Sequence, residues 1–239
     1  MSAGFSGKVV LVAGGTGALG RAVSLAFREE GARVVVTYRM PKEFDALRSA
    51  AHTGDSLIEG HRIDVTDEAA VGQLIERIVA SHGALDALVN TVGGYSGGVK
   101  LWELETPVFD RMLALNLRSA YELSRAAVRT MLKQGRGAIV NVAAKAAFDH
   151  PAGAAAYAAS KAAAVALLGS MAAELTGSGV RVNTVLPRVI DTQSNRKEMP
   201  NADFSKWPRP EEIARVIRFL CSDAAKVIHG AAIPVYGSN

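Results

Sequence analysis

Short β-branched runs alternate with longer stretches of helical periodicity from one end of this chain to the other. That alternation restricts the fold more than any other feature. The strand candidates are Val9–Ala13, Arg33–Tyr38, Ser56–Ile63, Ala87–Asn90, Ala138–Val142, Arg181–Leu186 and Ala232–Val235. Most are nearly continuous apolar runs, the pattern of strands buried on both faces. Helical periodicity falls between them at Leu19–Glu30, Asp67–Ser81, Phe109–Leu132, Ala154–Leu175 and Glu211–Ser222. Thr66-Asp67-Glu68 and Arg209-Pro210-Glu211 read as helix starts, a cap or a proline followed by acids. The series predicts right-handed crossovers and an α/β, doubly wound domain of Rossmann type, a seven-stranded parallel sheet with helices on both faces. The 239 residues read as one domain, 1–239, with no repeat or linker. Two aperiodic segments, Gly93–Lys100 and Pro187–Pro208, interrupt the pattern. Loops of that length at strand ends commonly cover a ligand, and 187–208 is the expected substrate loop.

Composition excludes several classes of partner. The net charge of +4 comes from 27 basic and 23 acidic residues. These are scattered singly, without the basic patch that a nucleic-acid partner requires. One cysteine, Cys221, permits no intrachain disulfide and reads as a small core residue of a late helix. The five histidines have no metal-ligand spacing, so no metal is expected. No apolar run is expected to approach the ~18 residues of a membrane span, and Met1–Lys8 lacks the build of a signal peptide. The expectation is a cytoplasmic protein with no membrane partner.

The first strand runs into Gly14-Gly15-Thr16-Gly17-Ala18-Leu19-Gly20, and a helix follows. Glycines there let backbone N–H groups approach a pyrophosphate at the helix N-terminus, the arrangement of a dinucleotide site. Gly20 suits close helix–strand packing. At the end of the second strand, NAD-preferring sites place an acid for the ribose hydroxyls. Here the residues are Thr37-Tyr38-Arg39-Met40, and Arg39 can pair with a 2′-phosphate. NADP(H) is therefore the expected cofactor. In the Ala154–Leu175 helix, Tyr157 and Lys161 are four apart and share a face. A lysine ammonium beside the phenol would lower its pKa and fit it to exchange a proton as hydride moves. Asn116 falls on or beside the apolar face of its helix, either bonded to backbone or holding a relay water.

Together these residues resemble the short-chain dehydrogenase/reductase family over almost the whole chain. The shared elements are the glycine turn at 14–20, Asp64, Asn90-Thr91-Val92-Gly93, Asn116, Tyr157-Ala158-Ala159-Ser160-Lys161, and Pro187 through Thr192. The resemblance implies catalytic roles for Tyr157, Lys161 and Asn116. It places Gly14, Thr16, Gly17, Ala18, Leu19, Arg39, Asp64, Val65, Asn90, Val92, Gly93, Pro187, Ile190 and Thr192 at the cofactor. Two departures stand out. Ala18 replaces the family's middle glycine, and Ala144 stands where the family has a catalytic serine, thirteen residues before the tyrosine. Within the family, the loops are similar to those of quinonoid dihydropteridine reductases, which also carry alanine there. The matching stretches are Val92–Gly98, Ala144–Ala147, and the 191–207 segment with Met199, Phe204 and Trp207.

That resemblance implies an NADPH-dependent reductase of a quinonoid dihydropterin or a similar conjugated ring, with Ala144, Tyr95, Met199 and Phe204 at the substrate. The alternatives are a carbonyl reductase or alcohol dehydrogenase, and an NADP-binding regulator that has lost catalysis. The two long helices, rich in small residues, together with the resemblance imply a homodimer or homotetramer.

Overall fold

The computed structural model describes residues 4–51 and 57–237. Seven strands form one parallel sheet: β1 Val9–Ala13, β2 Arg33–Tyr38, β3 Ile58–Arg62, β4 Ala87–Asn90, β5 Gly137–Val142, β6 Val180–Pro187 and β7 Ala232–Val235, in the order β3-β2-β1-β4-β5-β6-β7. The expected strands lie within about two residues of these bounds, though Ser56 falls outside the described residues. β1 and β4 through β6 are the buried strands that the apolar runs foretell. By contrast β3, Ile-Glu-Gly-His-Arg, is only half-buried because it is an edge.

Neighbouring residues of each strand serve opposite cores, as the two-residue period requires. Val10 and Val12 pack with Val34, Val140, Phe27, Leu47, Ile213 and Ile217. Those helical residues belong to α1 Ala18–Glu29, α2 Pro41–Ala50 and α9 Pro210–Cys221. Leu11 and Ala13 face the other layer with Val35, Ile139, Leu74, Ile78, Leu123 and Leu168. Its helices are α3 Glu68–His82, α5 Ser119–Gln134 and α7 Ala155–Glu174. Cys221 is a free, buried thiol in α9, and burial raises its pKa to about 12.

Three differences from the sequence expectation bear on the site. Helix α2 was not foreseen. It buries only Leu47 and is otherwise charged and short, so it has little apolar stripe to show. The expected single helix Phe109–Leu132 is instead α4 Thr106–Leu113, a π-helical turn at Ala114–Arg118, then α5. Such turns carry an extra residue and often sit at functional sites; this one holds Asn116. The expectation of no span-length apolar segment is also corrected. With 20 residues and a mean hydropathy of 1.3, α7 is long and apolar enough to cross a membrane. Its alanines score as apolar while adding little bulk. It packs instead against β6 and the α4–π turn, with Lys161 buried within the protein.

The chain leaves β1 to build β2 and β3 on one side, then returns to place β4 on the other. The carboxyl ends of β1 and β4 therefore flank the point where strand order reverses, which is where open α/β sheets leave a crevice for ligands.

Candidate active site

The glycine turn is held by steric necessity and by two hydroxyls. Gly14 has φ of +72°, a left-handed conformation that side chains resist. Its N–H donates to Thr37 Oγ1 at 2.9 Å, fixing the turn to the end of β2. Thr91 Oγ1 donates to the Ala13 carbonyl at 2.7 Å, so the threonine after Asn90 ties β4 to the same turn. A Cβ on Gly20 would collide with the Gly14 carbonyl and Thr91 Oγ1, which accounts for that glycine by packing. Helix α1 starts at Ala18 after Gly17, and no side chain caps it. Gly17 and Ala18 are exposed while Leu19 is buried beneath them. The uncapped N–H groups and positive helix end fit a pyrophosphate, so the residues present suit a nicotinamide dinucleotide. Ala18 faces out, and its methyl group does not obstruct the turn.

At the β2 end, Tyr38 stacks in parallel on Phe44 of α2 at 4.8 Å. This leaves Arg39 as the exposed polar residue there, with no hydrogen bond or ion pair among the described residues. Asp64 accepts both the N–H and the hydroxyl of Thr66, at 2.9 and 2.7 Å. Those bonds, and then the attraction of Arg39, hold its carboxyl below the usual carboxylate range. Val65 beside it is buried. Asn90 is buried under the crevice, donating to Asn141 Oδ1 at 2.9 Å and accepting the Val92 N–H at 3.0 Å. It locks β4 to β5 and shapes the Val92–Gly93 turn.

Lys161 and Asn116 face one space, and Ser160 links Asn116 to the Tyr157 backbone. Lys161 is 5% exposed and donates from Nζ to the Val142 carbonyl at the end of β5, at 2.9 Å. Burial lowers its pKa from 10.5 to about 8. Asn116 Oδ1 accepts the Gly94 N–H at 3.0 Å, while Nδ2 donates to the Gly94 carbonyl and to Ser160 Oγ, both at 3.0 Å. Ser160 Oγ donates in turn to the Tyr157 carbonyl at 2.8 Å. The backbone-bonded reading of Asn116 therefore holds, but it is not the whole account. A Cβ on Gly93 would lie 2.8 Å from Asn116 Oδ1 and 3.0 Å from Lys161 Nζ, so both groups face one small space that only glycine leaves open. Ser160 was not singled out from sequence. Its signal is a small polar residue three after Tyr157, on the buried side of α7.

The expected depression of the Tyr157 pKa is corrected. The phenol is pushed up to about 12, first by burial and then by Tyr95. The Lys161 ammonium is turned to Val142 and not to the phenol. Tyr95 lies edge-on to Tyr157, ring centres 5.0 Å apart, and is itself 65% exposed, a cover over the phenol. Ala144 is buried at the start of the turn after β5 and offers only a methyl group.

The 187–208 segment is more ordered than its lack of periodicity foretells. Pro187 ends β6 and accepts the Lys145 N–H at 2.7 Å. Thr192 caps a short helix α8, Gln193–Glu198, and Asn195 donates to the Ile190 carbonyl at 2.8 Å. Ile190 also packs on the core. Asp191 and Arg196 form a two-point ion pair. Met199 is exposed at the end of α8. Phe204 does not come to Tyr157. It packs on Trp207 at 5.0 Å, under the Arg196 guanidinium at 4.7 Å. These three line a cleft of about 750 Å³ with Ile213, Val216 and Val235. The residue pairs with its neighbour in sequence because the Asp203 cap forces a tight turn between them.

The family model described as short chain dehydrogenase matches residues 8–203. The chain is 35% identical to D-threitol dehydrogenase of Mycolicibacterium smegmatis over 97% of its own length and 92% of the other. It is 30% identical to a 3-oxoacyl-[acyl-carrier-protein] reductase of Thermotoga maritima over 97% of each. It also superposes on the structure of ElxO with NADP bound with a TM-score of 0.90, at 28% identity over 96% of this chain and 97% of that one. The chain belongs to the short-chain dehydrogenase/reductase family and is an NAD(P)-dependent oxidoreductase.

Proposed function

We propose that the protein is an NADPH-dependent reductase that passes hydride and a proton to a quinonoid dihydropterin or a similarly flat conjugated C=N ring. The observation that carries this reading is a half-buried Tyr157 whose phenol is held protonated by burial, together with an Ala144 after β5 that offers only a methyl group. A ketone reduced to an alkoxide benefits from a hydroxyl aimed at its oxygen, and alanine has none to donate. A conjugated ring nitrogen needs a proton donor and a flat apolar wall.

In this reading Gly14, Gly17, Ala18 and Leu19 hold the pyrophosphate, Thr16 and Arg39 face the 2′-phosphate, and Asp64 and Val65 border adenine. Asn90, Val92, Gly93, Pro187, Ile190 and Thr192 line the nicotinamide side. The bound nicotinamide supplies the hydride. Tyr157 gives up its phenolic proton, which burial keeps in place at neutral pH. Lys161, anchored on Val142, and Asn116, anchored on Gly94 and Ser160, hold the space from which Tyr157 is reprotonated. Tyr95 limits water at the phenol. Met199, on the 187–208 loop, is the exposed apolar group available to fold over a flat ring.

A second reading, a carbonyl reductase or a dehydrogenase of a small alcohol, draws support from the names of the relatives. NADPH oxidation separates the two when followed with chemically generated quinonoid dihydropterin, with ketones, and with neither. Turnover of the pterin above the blank supports the first reading; turnover of ketones alone supports the second. We also propose a cytoplasmic homodimer or homotetramer. Exposed Tyr121 of α5 lines a cleft with Leu113, Leu117 and Leu167 that a second copy would fill, and Phe109 and Leu132 are exposed on α4 and α5. A monomeric mass by light scattering at micromolar concentration refutes it.

A further inference from the structure

The adenosine end of the crevice holds an acid that sequence reasoning passed over. Thr16 Oγ1, in the glycine turn, donates to Glu43 Oε2 at 3.0 Å. Glu43 lies in the first turn of α2, four residues after Arg39, and the Gly14–Thr37 bond draws the β2 end and the glycine turn together. Arg39 therefore shares its corner with two carboxylates: Glu43 on α2, and Asp64 after β3, whose charge it already attracts.

We propose that Glu43 sets the discrimination between the two nicotinamide dinucleotides, by holding the Thr16 hydroxyl that a 2′-phosphate would need. The inference rests on the reading of the glycine turn as a dinucleotide site. A hydroxyl has one proton to donate, so Thr16 serves the carboxylate or an incoming phosphate oxygen, not both. A 2′-phosphate and Glu43 also repel one another, and although solvent screens the two charges at this exposed corner, the repulsion adds to the loss of the hydroxyl. A free ribose hydroxyl meets the opposite situation, because Glu43 can accept from it. The wild-type preference for NADPH is accordingly small, with Arg39 on one side of the balance and Glu43 on the other.

The test is titration calorimetry on the purified protein with NADPH, NADH, 2′,5′-ADP and 5′-AMP, for the wild type and Glu43→Ala. A freed charge-assisted hydrogen bond predicts NADPH and 2′,5′-ADP binding about ten-fold tighter in the variant, while NADH and 5′-AMP stay equal or weaken. A ratio of NADPH to NADH affinity within two-fold of wild type, with both still binding, overturns this inference and leaves the dinucleotide site standing. If the wild type binds neither dinucleotide, the site reading fails and the inference falls with it.

Discussion

The two ends of the crevice are built on different terms. At the glycine turn the constraints are backbone and volume: a left-handed Gly14, a Gly20 with no room for a methyl, and hydroxyls of Thr37 and Thr91 binding main chain. At the end where we propose that the substrate binds, the 187–208 segment is held by side chains bonded to each other, above all Asp191 to Arg196 and Phe204 to Trp207. The first kind of constraint tolerates few residue types. The second is satisfied by many combinations, so it is where members of one family can differ in substrate. Tyr157 and Lys161 lie on a helix fixed by the core, with Tyr95 of the 93–100 loop edge-on to the phenol.

The largest test of that division is Tyr157→Phe. If the centre of the site carries the chemistry and the glycine turn only binding, turnover should drop by ~10²–10⁴-fold, nearer the lower figure for an already reactive ring. Cofactor affinity should stay within a few-fold. A variant with near-normal turnover would move the proton source to solvent.

Lys161 sharpens the same point through pH. Its folded pKa is about 8 against an ordinary 10.5. Between those values the unfolded chain still binds a proton that the folded protein has released, so this group makes stability rise with pH from about 8 to 10.5. The span corresponds to roughly 3 kcal/mol at ~1.4 kcal/mol per unit. Tyr157 acts in the opposite sense at higher pH. Its folded pKa of about 12 lies above an ordinary 10.0, so its stabilisation is present below 10 and is lost as pH climbs toward 12. Denaturant unfolding of wild type and Lys161→Met from pH 7.5 to 10 should show the gap between them widening in favour of wild type. A constant gap would mean that the ammonium is not held in a desolvated site.

Arg39→Asp tests whether the adenosine end is read by charge. The expected outcome is a ten- to hundred-fold swing in relative affinity toward NADH, measured as dissociation constants for both cofactors. No swing would shift the recognition of the 2′-phosphate to other groups of the glycine turn.

How much of this was legible in the sequence follows from the same division. The strands, α1, the glycine turn and the Tyr157–Lys161 face show in one chain because period, φ and volume restrict each position by itself. Asn116 shows as a polar residue on an apolar face, but the π turn that presents it does not, since an inserted residue in a helix leaves no composition signal. Thr91 shows its role only through its bond to the Ala13 carbonyl, from another strand. Glu43 and Ser160 owe their places to partners 27 and 44 residues away, Thr16 and Asn116. The depressed phenol pKa expected from spacing failed for a related reason. Being four apart puts Lys161 beside Tyr157, but the direction of the ammonium is decided by Val142, from another strand.

The smallest effects should separate two residues of the 187–208 segment that the sequence treats alike. Phe204 is half-buried against Trp207 and Arg196, in a cleft that Tyr157 does not reach. Removing a partly buried ring loses apolar contact and an aromatic pair, so Phe204→Ala should cost about 1–2 kcal/mol of stability. Its KM should move by less than about threefold. Met199 is partly exposed at the end of α8 and belongs to neither core cluster. If it folds over a flat ring, Met199→Ala should leave the melting temperature alone and raise KM by about three- to ten-fold, the worth of one modest apolar contact. The two variants, measured by thermal melts and steady-state kinetics side by side, should give opposite patterns. Identical patterns would mean that the segment works as one piece, and that the loop joins the rigid part of the molecule.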